Sequence, residues 1–288
     1  MFKPLHAALT ALGILALSAC STQSTPTPEA ALPAAALPAE SLTVTGTAPA
    51  FGDLSSQIVY GTVTNVTNRP YQVSVTPSTE LAGGWCGGTL ISSTWVLTAA
   101  HCVDGYSASS MRVRAGINNL TTSTGQLRTA AQIIKHPSYN PSTYANDIAL
   151  IRVSAFTLGS TVQTAALPGN AVEAILDVNG KSATVSGWGK TETGASSPTA
   201  LREVTIPITP TGSDCGTRPA NTICGKYSSG KDSCNGDSGG PLAAPYNGKF
   251  YVLGAVSYGP AECRGYGVYT RVNGFINWIA QNTGIAAQ

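Results

Sequence analysis

From Ile58 to the C-terminus the apolar residues fall into short runs: "YQVSV", "GTLIS", "WVLTAA", "MRVRAG", "DIALIRV", "SATVSGWG", "KFYVLGAVSYG" and "GVYTRV". Turn formers, chiefly Gly and Asn, separate them. Many strands at such short intervals predict an all-β barrel or sandwich. A good helix is predicted only at the end, where Phe275, Ile276, Trp278 and Ile279 of "GFINWIAQN" fall on one face. No repeat at a solenoid period is visible.

Residues 1–57 follow other patterns. The leader "MFKPLHAALTALGILALSAC" combines one lysine, an apolar run too short to span a membrane stably, and small residues before a cysteine, which predicts an export signal. Its end, Leu17-Ser18-Ala19-Cys20, looks like the lipobox of bacterial lipoproteins, in which the cysteine becomes the acylated first residue. An ordinary signal cut near "SAC" is the alternative. Residues 20–57 form a Pro/Ala/Ser/Thr-rich tether and propeptide, with Pro26, Pro28, Pro33 and Pro38 in its first half. Proline bias favours extended backbone, so at about 3.1 Å per residue the tether reaches at most on the order of 100 Å from an anchor. The chain therefore divides into a signal over 1–19, a tether over 20–57 and one domain over 58–288.

Composition narrows the class. Only 10% of residues are charged and the net charge is +2, with no block of Lys or Arg, so nothing indicates a nucleic-acid partner. Seven cysteines leave one odd; setting Cys20 aside leaves six, compatible with three disulfides in an oxidising compartment. The sequence alone leaves their pairing open.

The candidate chemistry begins at "CNGDSGGPL", where Ser238 sits among glycines directly after Asp237. A serine that attacks a carbonyl needs a base, and after the leader only His101 and His136 are available. His136 precedes Pro137 in the turn-like "KHPSYN" and reads as a solvated loop histidine. His101, at the end of "WVLTAAHC" and beside a cysteine, suits a fixed base. Asp147 is the acid that leads directly into a strongly apolar strand, "DIALIRV", and could fix the imidazole tautomer and stabilise its charged form. Read singly, these are a strand-end histidine and a turn aspartate.

Read together, "TAAHC", "DIAL" and "GDSGGPL", in that order, resemble the trypsin-like (chymotrypsin-fold) serine endopeptidases. The resemblance extends over 58–288 through "IVYG", "GWG", "VSYG" and "GVYTRV". It implies two packed six-stranded antiparallel Greek-key barrels with a short C-terminal helix. It implies His101 as general base, Asp147 as its orienting partner, Ser238 as nucleophile, and the amides of Gly236 and Ser238 as the oxyanion hole. It pairs Cys86 with Cys102, Cys215 with Cys224 and Cys234 with Cys263. It places Asp232 at the floor of the substrate pocket, with Ser233, Ser257, Gly259 and Gly267 around it, and so implies cleavage after Arg or Lys. Asp237, badly placed to serve its neighbour's base, would pair instead with the new α-amino group of Ile58 when the propeptide is cut.

Several positions depart from the family pattern. Gln57, not Arg or Lys, precedes Ile58, which implies an activating protease or an atypical cut. "GINNLTTSTGQL" has no acid where many relatives carry a calcium-binding loop, so no metal or cofactor is expected. Tyr258 stands for the usual tryptophan beside the groove and Tyr266 for a frequent proline near the pocket. Expected partners are protein or peptide substrates and an activating protease. Membrane contact is expected only through a lipid on Cys20, and the chain should act as a monomer. A catalytically silent binding module and a dormant zymogen are the alternatives on the same fold.

Overall fold

The computed structural model describes residues 61–79, 85–190, 199–209, 215–226, 233–263 and 265–288. In chain order the strands are β1 (Thr62–Val63), β2 (Gln72–Pro77), β3 (Cys86–Ser92), β4 (Trp95–Thr98), β5 (Met111–Ala115), β6 (Gln126–Lys135) and β7 (Ala149–Val153), then β8 (Ser182–Gly187), β9 (Arg202–Thr209), β10 (Thr222–Lys226), β11 (Pro241–Tyr246), β12 (Lys249–Tyr258) and β13 (Tyr266–Arg271). Helix α1 (Asn170–Leu176) joins the two groups and α2 (Ile276–Thr283) ends the chain. Strands β2-β3-β4-β7-β6-β5 close into one barrel. The order β9-β10-β13-β12-β11-β8 closes into a second through the β8–β9 pairing, with β1 on its margin. All these pairings are antiparallel, and the architecture is the predicted one.

The burial pattern explains why many runs look continuously apolar. In β4, Val96 enters the core of the first barrel with Val73, Leu90 and Ile151. Its neighbours Trp95 and Leu97 face the other way, into a cluster with Leu150, Val252, Ala255, Phe275 and Ile279. Both faces of the strand are thus covered, so alternation disappears from the sequence. In β5, "MRVRA", where one face stays partly wet, buried and half-buried residues alternate. Val185, Val204, Ile206, Ile223, Leu253 and Tyr269 fill the second barrel. The shared cluster holds the two barrels together. Truncating Leu150 within it should cost about 2–5 kcal/mol.

A polar contact crosses the same junction, where the buried Ser186 hydroxyl donates to Gln72 Oε1 at 2.6 Å. Two findings differ from the sequence reading. Helix α1 was not anticipated: it is short, buries only Leu176 fully and has no side-chain cap, so its periodic signal is weak. His136 is not freely solvated. Its ring lies 5.2 Å from Phe275 and 5.1 Å from Trp278, and this partial burial lowers its pKa.

Candidate active site

The two barrels deliver different pieces to one cleft. After β4 the chain enters a 3-10 turn over Ala100–Cys102, closed by the Cys86–Cys102 disulfide, and this turn carries His101. Asp147 arrives just ahead of β7, after a turn in which Tyr144 and Asn146 both take left-handed backbone (φ 56°). Such conformations cost on the order of 1–3 kcal/mol at non-glycine residues and persist only when surroundings enforce them. Here Asn146 Nδ2 donates to Ser138 O at 2.9 Å, and Ile148 N donates to Asn146 O at 2.9 Å, locking the bend.

Asp147 is fully buried, so its carboxylate needs internal donors. Oδ1 accepts the backbone N–H of His101 at 2.9 Å, and Oδ2 lies 2.8 Å from His101 Nδ1. The Ser257 hydroxyl donates to Oδ2 at 2.6 Å, and Thr270 Oγ1 donates to the Asp147 carbonyl at 2.8 Å. With Nδ1–H committed to the carboxylate, Nε2 is the nitrogen left to exchange a proton. The imidazole is held through backbone and ring together. Ser257, expected among the pocket residues, lines the cleft and also turns its side chain to this carboxylate. Thr270 was not anticipated.

Ser238 comes from the second barrel, on a loop tied by the Cys234–Cys263 disulfide. Ser238 O accepts from Gly87 N at 2.8 Å, which links the nucleophile loop to β3 of the first barrel. Glycines permit this approach. A Cβ on Gly239 would strike Thr98 Oγ1, and one on Gly87 would lie 2.8 Å from Gly240 Cα. Gly236 takes φ 101° and Gly239 φ 72°, both in the region that favours glycine. The amides of Asp237, Gly239 and Gly240 donate to Cys234 O, Val256 O and Asp237 O. Those of Gly236 and Ser238 have no acceptor among the described residues, so they are available to a developing negative oxygen.

Asp237 points away from His101. Its carboxylate is fully buried and accepts Gly189 N at 2.8 Å and Cys234 N at 3.0 Å. Gly187 and Gly189 of "GWG" leave room for it, since a Cβ on either would overlap the carboxylate oxygens. Burial pushes its pKa up to about 6, against the opposing pull of the two amides. Among the described residues no cation pairs with it. Ile58, Gln57, Cys20 and Asp232 all lie outside the described residues.

His101 and Ser238 line a cavity of about 320 Å³ together with Ser233, Ser257, Gly259 and Cys263. A side chain on Gly259 would press on Tyr266 O at 3.0 Å. Gly267 sits inside β13 opposite Gly225, and the Cys215–Cys224 disulfide lies against it through a contact from Cys215 Sγ to Gly267 O of 3.6 Å. The three disulfides are those the resemblance implied. Tyr144, which no sequence signal singled out, stands edge-on to His101 at 5.8 Å and tilts against Tyr258 at 5.4 Å. The position of Tyr258 beside the groove is thereby filled by an aromatic pair. The loop expected to lack calcium does not suit that ion: it offers no carboxylate, and Arg114 donates to the carbonyls of Leu120 and Thr122 at 3.1 Å each.

Residues 58–279 match the protein family described as Trypsin. The chain is 39% identical over 238 residues to "Trypsin" of Sus scrofa, covering 80% of this chain and 96% of that protein. It is 39% identical over 238 residues to "Cationic trypsin-3" of Rattus norvegicus, covering 80% and 90%. It is 41% identical over 232 residues to "Trypsin Blo t 3" of Blomia tropicalis, covering 74% and 80%. All three come from animals, so they lend no weight to a bacterial leader.

Proposed function

Because the chain belongs to the trypsin family of serine proteases, we propose that His101, Asp147 and Ser238 are its catalytic residues and that it cleaves protein chains after Arg or Lys once it is itself cut between Gln57 and Ile58. It is a trypsin-like serine endopeptidase whose substrates are proteins or peptides. The observation that carries the residue assignment is the pair His101 Nδ1–Asp147 Oδ2 at 2.8 Å, fixed in a cleft that Ser238 also lines. In the proposed reaction His101 Nε2 takes the Ser238 proton as Oγ attacks the carbonyl carbon. Buried Asp147 stabilises the imidazolium, and the amides of Gly236 and Ser238 hold the oxyanion. The proton then passes to the departing amine, and water repeats the sequence on the acyl-enzyme. An organophosphonate, which bonds only to an activated serine, should label Ser238 in the cut protein; a cut protein left unlabelled would refute the assignment.

Basic specificity rests on Asp232, six positions before Ser238 and adjacent to Ser233, which lines the cleft. A carboxylate at the base of a narrow slot gains most by pairing with Arg or Lys. Asp232→Ser should abolish the preference for Arg; undiminished cleavage after Arg would contradict it.

Activation by the cut rests on Asp237, whose carboxylate is buried with amide donors and no described cation. The α-amine of Ile58 would supply that cation. A slot floored by Asp232 cuts poorly after Gln57, so a separate protease performs the cut; Ser238→Ala should then be processed normally at Ile58. The three disulfides use six cysteines, all C-terminal to Ile58, and none ties the tether to the domain. One cut would thus activate the enzyme and release it from a lipid on Cys20, an anchor supported by the leader sequence alone. Export of the chain is likewise supported by that leader, with three disulfides suited to an oxidising compartment. The uncut chain is, on this reading, a dormant zymogen.

A further inference from the structure

The cleft has a second side. Beyond Ser238 and Gly236, away from Ser257 and Gly259, lies a cavity of about 260 Å³ lined by Trp85, the Cys86–Cys102 bridge, Lys190 and Asn235 as well as by the reacting residues. The acyl half of a substrate occupies the side that holds Ser233 and Gly259. His101 lines both cavities and must hand its proton to the departing amine. The segment after the scissile bond therefore leaves across the second one.

Its walls are fixed by the fold. Trp85 Nε1 donates to Cys102 O at 3.3 Å, and the indole stands edge-on to Tyr106 at 5.8 Å. Lys190 N donates to Asn235 O at 2.7 Å, which ties this residue to the nucleophile loop. Lys190 is half-buried, and its ammonium has no acceptor among the described residues. No carboxylate lines the cavity among those residues either. A cation thus lies beside the path of the leaving chain with no anion paired to it among the described residues, on a protein where charged side chains are only 10% of the total.

We propose that Lys190 makes the leaving-group side of the cleft selective for Asp or Glu within the first two residues after the scissile bond. The face of Trp85 packs on the methylenes of that side chain. The proposal rests on the protease reading and adds a second specificity determinant to it. An ammonium on a flexible stem at a cleft margin gains little from one exposed partner, so the expected preference for Glu over the isosteric Gln is about two- to fivefold. It should shrink at 1 M salt, where charges are screened within about 3 Å.

Partitioning of the acyl-enzyme isolates this side of the cleft. The cut protein is acylated with an arginine ester, and the intermediate is shared between water and an added dipeptide amide: Ala-Glu or Glu-Ala, or the corresponding Gln forms. The wild type should transfer to the Glu amides about two to five times faster than to the Gln amides. The ratio should fall to about one in Lys190→Gln and below one in Lys190→Glu. Each ratio is taken within one variant, so a general loss of folded enzyme cancels. The same ratio in all three proteins would overturn the role of Lys190 while leaving the protease reading intact. No ester turnover by the cut wild type would overturn both.

Discussion

Two aspartates are fully buried within a few residues of the proposed chemistry, and their surroundings differ. Asp147 gathers donors from far along the chain: His101, 46 residues away, through both its backbone and its ring, and Ser257, 110 residues away. Among the described residues Asp237 has two amide donors, from Gly189 and from Cys234 three residues before it. One carboxylate is completed by folding. The other is desolvated without a described cation, and its pKa is pushed up to about 6. Similar burial of the same side chain therefore has opposite meanings. On the proposed reading Asp147 organises the base, whereas Asp237 holds an unfavourable charge that a new amine would neutralise.

Replacing each carboxylate with an amide should separate these roles. The largest effect is expected for Asp147→Asn in the cut enzyme: the amide favours the wrong imidazole tautomer, and kcat should fall on the order of 10⁴-fold, the size of loss already known for this replacement in a serine protease of the same fold. Steady-state kinetics on an arginine peptide would check this. Asp237→Asn should act differently in the two forms. In the cut enzyme it should leave the Ile58 amine without its proposed partner, a loss of about 3–5 kcal/mol, or roughly two to three and a half orders of magnitude in kcat/KM. In the uncut chain it should stabilise the fold above pH 6, and a comparison of melting curves would show the reversal.

The pH dependence of the uncut chain provides the next test. Asp237 has an ordinary value of 3.8 that folding raises to about 6. Between those limits the folded chain still holds a proton that the unfolded chain has shed, so stability must fall as pH rises through the window and level off above it. Roughly two units on a buried group correspond to a contribution on the order of 3 kcal/mol. Urea midpoints at pH 4 and pH 7 should show this slope in the uncut chain and not in Asp237→Asn. The smallest effect is expected for Ser257→Ala, which removes one hydroxyl donor from Asp147. Hydrogen bonds to charged groups contribute about 1.5–3 kcal/mol, so activity should drop at least about tenfold with the fold retained.

Much of this contrast is legible in the sequence because it depends on residues with few substitutes. "GDSGGPL", "TAAHC" and "DIAL" identify the groups, and the short apolar runs identify strands. Gly87, Gly239 and Gly240 mark places where backbone from the two barrels meets. What sequence leaves hidden depends on contacts formed only after the barrels close. Thr270 reaches Asp147 across 123 residues, and Tyr144 meets His101 and Tyr258 only because a strained turn places it there. Helix α1 spans seven residues with one buried apolar position, Leu176, too little for a periodic signal to announce it. His136 looks like a loop residue until α2 folds back against it.

The most direct measurement follows the carboxylate itself. In Ser238→Ala labelled with ¹³C at aspartate carboxyls, the Asp237 resonance, assigned by its absence in the Asp237→Asn double variant, is titrated before and after cleavage at Gln57–Ile58. The uncut chain should show a midpoint near 6, and the cut chain a midpoint below the ordinary 3.8, because the Ile58 amine then favours the charged form. A midpoint that stays where it was after the cut would contradict the account.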